Sequence, residues 1–151
     1  MSEKDFFATL DDESNSIALI VKHLAGNMRS RWTAFLTSDG EKPDRNRDGE
    51  FIIGPAETKA SIMESWDDSW QVAFKELEAL TPDDLDKTIT IRHEPYLVLR
   101  AINRNLGHCA LHIGQIVLLA KHYASDHWRT LSIPRNQSAE FNQQMREKGR
   151  L

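Results

Sequence analysis

Three observations predict an all-α fold. Apolar residues recur at helical spacing over three long stretches, strand-like alternation is confined to one short segment, and cap and stop residues separate the stretches. The first helix is expected from about Ser14 to Leu36, after the cap-rich Asp11-Asp12-Glu13-Ser14-Asn15-Ser16. Its stripe is Ile17, Ile20, Val21, Leu24, Ala25, Met28, Trp32 and Phe35, and Thr37-Ser38-Asp39-Gly40 stops it. His23 projects just off the edge of that stripe. A long polar loop, Glu41 to Gly54, follows; connections of that length are usually functional or mobile.

Gly54-Pro55 is read as the start of the second helix, with Ile62, Met63, Trp66, Trp70, Ala73, Phe74, Leu77 and Leu80 at helical spacing. The tryptophans read as core. Thr81-Pro82-Asp83-Asp84 caps a short turn, and Thr88-Ile89-Thr90-Ile91 alternates like a brief strand. Pro95 is read as the start of the third long helix, which continues to His122. A terminal helix is expected from about Ser138 to Lys148, with Phe141 and Met145 as its few apolar residues.

Composition narrows the function. A chain of 151 residues and 17.3 kDa suits one domain, residues 1–151, with about 131–151 as a C-terminal extension. The net charge of −4 argues against a nucleic-acid binder, which needs a concentrated basic surface. The single cysteine, Cys109, excludes an internal disulfide framework. It points deep into an apolar stripe and reads as a small buried hydrophobe. The start of the chain lacks the apolar core of a signal peptide and no apolar run is long enough to span a membrane, so the expected compartment is the cytosol.

The residues that carry chemistry are His23, His108 and His112. His108 and His112 are four apart on the third long helix, and such residues share a face with Cβ atoms about 5–6 Å apart. They fall within the broad apolar arc of Leu97, Val98, Ala101, Ile102, Leu106, Cys109, Ile113, Ile116, Val117, Leu119 and Ala120. Imidazoles in a core must find partners, because an unpaired buried polar group costs roughly 1–3 kcal/mol. A shared metal ion supplies two partners at once; a carbonyl or side chain on a facing helix is the alternative.

Around these residues the chain resembles a known superfamily. The segments Ser16 to Asn27 and Gly107 to Ile116, the latter containing His-x-x-x-His-x-Gly-Gln, look like the DinB-like (YfiT-type) metal-dependent superfamily. The closer resemblance is to an uncharacterised bacterial branch carrying Asn27-Met28-Arg29-Ser30-Arg31-Trp32 and Asp39-Gly40-Glu41-Lys42-Pro43. The resemblance implies a four-helix bundle, commonly a homodimer, with His23, His108 and His112 holding a divalent ion such as Zn²⁺ or Ni²⁺. Some relatives are S-transferases or isomerases using low-molecular-weight thiols. Only 13 residues precede Ser14, so the usual long first helix is not expected here. Either the chain start lies inside a longer gene product or a partner chain fills the gap, with Phe6, Phe7 and Leu10 covering part of the apolar surface.

Three nitrogen ligands leave positions for water and a substrate, the pattern of a catalytic site. The expected function is therefore a metal-dependent S-transferase or hydrolase acting on a thiol or another small molecule. A non-catalytic metal-binding or dimeric accessory bundle is the alternative, and a metal-free interaction module a third. No catalytic acid or base is assigned: Asp39, Glu41, Asp44 and Asp48 read as solvated loop residues and Glu13 as a helix cap. Asn27 and Asn105 are candidates for orienting the histidines, and Arg45 and Arg47 for holding a substrate carboxylate.

Overall fold

The computed structural model describes residues 1–149. Its order is α1 (Glu3–Phe7), α2 (Ile17–Trp32), α3 (Lys59–Ala79), β1 (Thr88–Ile91), β2 (Glu94–Leu97), α4 (Val98–Ala124) and α5 (Ser138–Glu147). The result is a mostly helical bundle carrying one small antiparallel hairpin. Among the described residues, no helix is long and apolar enough to cross a membrane.

α2 is the central helix, because its stripe is buried against elements on several sides. Ile17, Ile20, Val21, Leu24, Ala25, Met28, Trp32 and Phe35 are all buried, as the periodicity predicts. The helix begins later than Ser14, since the Ser16 hydroxyl accepts the Leu19 N–H and caps it. It ends before Leu36, where Thr33 folds back onto the Arg29 carbonyl and Ala34 takes a positive φ of 50°. Phe6 of α1 is buried in the same core, whereas Leu10 is half exposed.

α3 starts at Lys59 instead of Pro55. Thr58 and Ser61 form a reciprocal capping box there, while Gly54 and Pro55 belong to a turn closed by Glu57. Trp66 and Trp70 pack against the core, as expected. α4 starts at Val98 because Pro95 pairs with Thr90 in the hairpin, an edge position that tolerates a missing N–H. Of the arc read on α4, Val98, Ala101, Cys109 and Leu119 are buried, whereas Leu106 and Ile113 lie exposed.

The hairpin turn is formed by Arg92 and His93, both with positive φ, at 55° and 65°. Two-residue turns of that hand fit the strand twist, but side chains at positive φ carry strain. Asp39 offsets it, its carboxylate accepting the N–H groups of Arg92 and His93 at 2.8 Å each and that of Glu41 at 2.7 Å. Gly40 donates to the Thr90 carbonyl at 2.8 Å, adding the polar loop to the edge of β1. The segment expected to be functional or mobile is thereby tied down over the C-terminal half of α2.

Candidate metal centre

Two helices and the polar loop build the site. α2 supplies His23, and α4 supplies His108 and His112 one turn apart. Their ring centroids are separated by 4.6 Å (His108 to His112), 5.1 Å (His23 to His112) and 5.3 Å (His23 to His108). One ring nitrogen from each lies within 4.8 Å of the other two, an arrangement able to hold a metal ion. The structure thus brings together all three histidines singled out in the sequence.

His23 does not sit at the boundary where its helix phase suggests. It is 5% exposed, because the loop returns as a 3₁₀ turn, Asp48–Phe51, and seats Glu50 and Phe51 on the ring. His23 Nδ1 lies 2.8 Å from Glu50 Oε2, and Arg45 holds the same carboxylate through two contacts, Nε to Oε1 at 2.8 Å and Nη2 to Oε2 at 2.9 Å. Burial pushes the Glu50 carboxyl up, but the hydrogen bonds from His23 and Arg45 and the Arg45 charge outweigh it and hold the group below its ordinary value. An ionised carboxylate only accepts, so Nδ1 of His23 carries the proton and donates it to Glu50. Nε2 is the nitrogen turned toward His108.

His112 is oriented in the same way. Its Nδ1 donates to Gln115 Oε1 at 2.7 Å, leaving Nε2 as the free nitrogen. His108 Nε2 lies 3.3 Å from His23 Nε2, and its buried Nδ1 has no hydrogen-bond partner among the described residues. Two nitrogens bound to one tetrahedral ion at roughly 2.0–2.1 Å are separated by roughly 3.3–3.4 Å, the spacing found here. Burial, followed by the neighbouring His112 and His23, pushes His108 down to about 4. Burial also lowers His112 against the opposing bond from Gln115. Both rings are therefore neutral at neutral pH and offer lone pairs to a cation.

Other sequence expectations are revised by their contacts. Asn27 and Asn105 form no hydrogen bond with the histidines among the described residues: Asn105 accepts the Trp32 indole N–H at 3.1 Å and donates to Asn27 at 3.4 Å. Glu50 and Gln115 orient the rings instead. Arg45 is occupied by Glu50 and Glu41 and is not free for a substrate, whereas Arg47 is half exposed and lies over Phe51. Asp39 and Glu41 are not simply solvated, since Asp39 caps the hairpin turn and Glu41 meets Arg31, Arg45 and Arg92. Asp44, Asp48 and Glu13 are exposed as expected, although Ser16 caps α2 in place of Glu13. Cys109 is buried, its Sγ is 3.6 Å from Met28 Sδ, and burial raises its thiol pKa, so it is no nucleophile.

Glu50 was not singled out in the sequence, although one signal pointed to its place. Gly26 lies one turn beyond His23 in mid-helix, where glycine costs about 1 kcal/mol relative to alanine. A Cβ at Gly26 would overlap the Glu50 carboxylate. The glycine leaves the space through which Glu50 reaches His23.

Fold and site together define a helical-bundle protein with converging histidines on two helices, braced by a carboxylate from a covering loop. The chain belongs to the DUF1572 family, described as protein of unknown function, whose model matches residues 1–137. No curated protein and no solved structure matches it.

Proposed function

We propose that this protein is a metal-dependent enzyme of the DinB-like (YfiT-type) superfamily, binding one divalent ion, Zn²⁺ or Ni²⁺, through His23, His108 and His112. One observation carries the reading. The Nδ1 atoms of His23 and His112 are committed to acceptors, His23 Nε2 lies 3.3 Å from His108 Nε2, and one nitrogen of each of the three rings lies within 4.8 Å of the others. Acceptors behind the imidazoles are the usual support of metal-ligating histidines and fix the tautomer that binds.

Three imidazole ligands suit Zn²⁺ and Ni²⁺ and leave room for water and a substrate. No cysteine or carboxylate joins the histidine cluster among the described residues. Glu50 is held by His23 and Arg45, and the Cys109 thiol faces Met28. A bound ion would lower the pKa of a water or thiol so that a nucleophile exists at neutral pH. That supports thiol-dependent S-transfer or hydrolysis as the reaction class. The residues of this chain fix the rings, exclude water behind them and shape the cavity in front.

A homodimer accompanies this reading. Leu99, Leu106 and Ile113 recur every seven residues along α4 and are 52%, 65% and 41% exposed, an apolar line suited to a second copy.

Elemental analysis of untagged protein, beside the His23→Ala, His108→Ala, His112→Ala variant, tests the metal. The expected result is about one divalent ion per chain in the parent and none in the folded variant. Equal metal content in the two, or none in the parent after incubation with Zn²⁺ and Ni²⁺, would overturn the proposal.

A further inference from the structure

A cavity of about 360 Å³ opens from His23 and His108, within the size range of small-molecule sites. Its charge is opposite to that of the protein. The chain carries a net charge of −4, yet Arg31, Arg45, Arg47, Arg92 and Arg104 all line this cavity and no carboxylate does. Three carboxylates outside the lining meet these arginines. Glu50 neutralises Arg45, Asp48 lies 3.8 Å from Arg47, and Glu41 is shared by Arg31 at 3.1 Å, Arg45 at 3.1 Å and Arg92 at 3.4 Å. One carboxylate spread over three guanidiniums leaves positive charge unbalanced.

Arg104 carries the clearest part of that surplus. Among the described residues no carboxylate lies within ion-pair distance of it, and its guanidinium rests 5.6 Å from the Tyr96 ring centre. It stands four residues before His108 on α4, so Arg104, His108 and His112 form one column along the helix. Arg92 enters from the hairpin turn, which Asp39 holds in place, and its side chain is 56% exposed. Asn27 and Asn105 add neutral polar groups to the lining, and the apolar part of the wall is formed by Trp32, Phe35, Ile89, Ile91 and Ala101. The Trp32 indole N–H is already bonded to Asn105, so the apolar part of the wall offers contact area without a free donor of its own.

We infer that this cavity binds a small organic anion, its carboxylate or phosphate held by Arg104 and Arg92 and its apolar body lying against Trp32, Phe35 and Ile91. The inference deepens the metal-centred reading, which gives the bound anion its place as substrate: its charged end is fixed one helical turn from His108. Guanidinium groups suit this role because they remain charged and present paired donors to an oxyanion. The positive cavity also draws anions from solution toward an otherwise acidic protein.

Fluorine-detected NMR with 4-fluorophenylacetate and its neutral isostere 4-fluorophenylacetamide tests this on the full chain, both metal-loaded and chelator-treated. The expected result is that the carboxylate binds both forms and the amide binds at least about tenfold more weakly. Arg104→Gln should weaken carboxylate binding about tenfold at unchanged thermal stability and metal content, with Arg104→Lys retaining part of it. The Arg92→Gln, Arg104→Gln double variant should weaken it further. Equal binding of acid and amide, or full binding by the double variant, would overturn the anion site. If the carboxylate binds only when metal is present and regardless of Arg104, the anion site fails while the metal reading stands. Arginine-dependent binding by a chain that takes up no metal would support the anion site and remove the metal reading.

Discussion

Gly26 and Glu50 touch because Gly26 has no side chain: a Cβ on that turn of α2 would come within 2.7 Å of Glu50 Cδ. The contact couples a helix residue to a loop residue and brings the Glu50 carboxylate to His23. Gly26→Ala is therefore expected to separate stability from metal binding. The helix gains up to about 1 kcal/mol of propensity, while the displaced Glu50 releases His23. Metal affinity should fall roughly 10–100-fold with the far-ultraviolet circular dichroism unchanged, as followed by competition with a chromophoric chelator. Unchanged affinity would mean that Glu50 does not support the site.

Glu50→Gln tests the same support without crowding α2. The amide keeps the shape but removes the charge that Arg45 and His23 share. Zinc affinity should again drop by roughly one to two orders of magnitude. Removing one partner also leaves the buried Arg45 short of an acceptor, so the melting temperature should decrease.

The pH dependence of the metal-free protein follows from His108. Its folded pKa is pushed down to about 4 against an ordinary 6.5, so between these values the unfolded chain binds the proton and the folded chain does not. Stability is accordingly fully present above about pH 6.5 and is lost as pH falls toward 4. Because part of the ring remains accessible, the loss is discounted to about 1–2 kcal/mol. Urea denaturation of chelator-treated protein from pH 7.5 to 4.5 checks this against His108→Gln, whose profile should be flatter. Identical profiles would contradict the assignment.

Asp39 governs the hairpin from a distance in sequence. Burial pushes its carboxyl up, but the bonds from the Glu41, His93 and Arg92 amides hold it far below the carboxylate range. Its contribution is present above the unfolded value of 3.8 and is lost only on strong acidification. Asp39→Ala should destabilise the chain by roughly 1–2 kcal/mol and loosen Arg92. The expected signature is faster amide exchange at Arg92 and His93, with metal content unchanged.

The helices were legible because period is a local property. The α2 stripe is buried residue for residue, although the helix is shorter at both ends than the Ser14 to Leu36 expected, and the larger misses in helix starts fall where two signals competed. Pro55 looked like a helix start but lies in a turn, because the Thr58–Ser61 box caps better. Pro95 sits in β2, since the hairpin claims it first. His23, His108 and His112 were visible as residue type and spacing. Glu50 was not, because the residues that hold it, Arg45 five positions earlier and His23 on another helix, become neighbours only when the loop folds back. The arginine-lined cavity was hidden for the same reason: its guanidiniums come from α2, the loop, the hairpin and α4.

Anomalous diffraction at the metal absorption edge, from crystals grown with Zn²⁺ and separately with Ni²⁺, addresses the central claim most directly. The account predicts one strong peak bounded by His23, His108 and His112, with ligand distances of about 2.0–2.1 Å and at least one position held by solvent. No peak between those rings, or one completed by a fourth protein side chain, would contradict an open three-histidine centre.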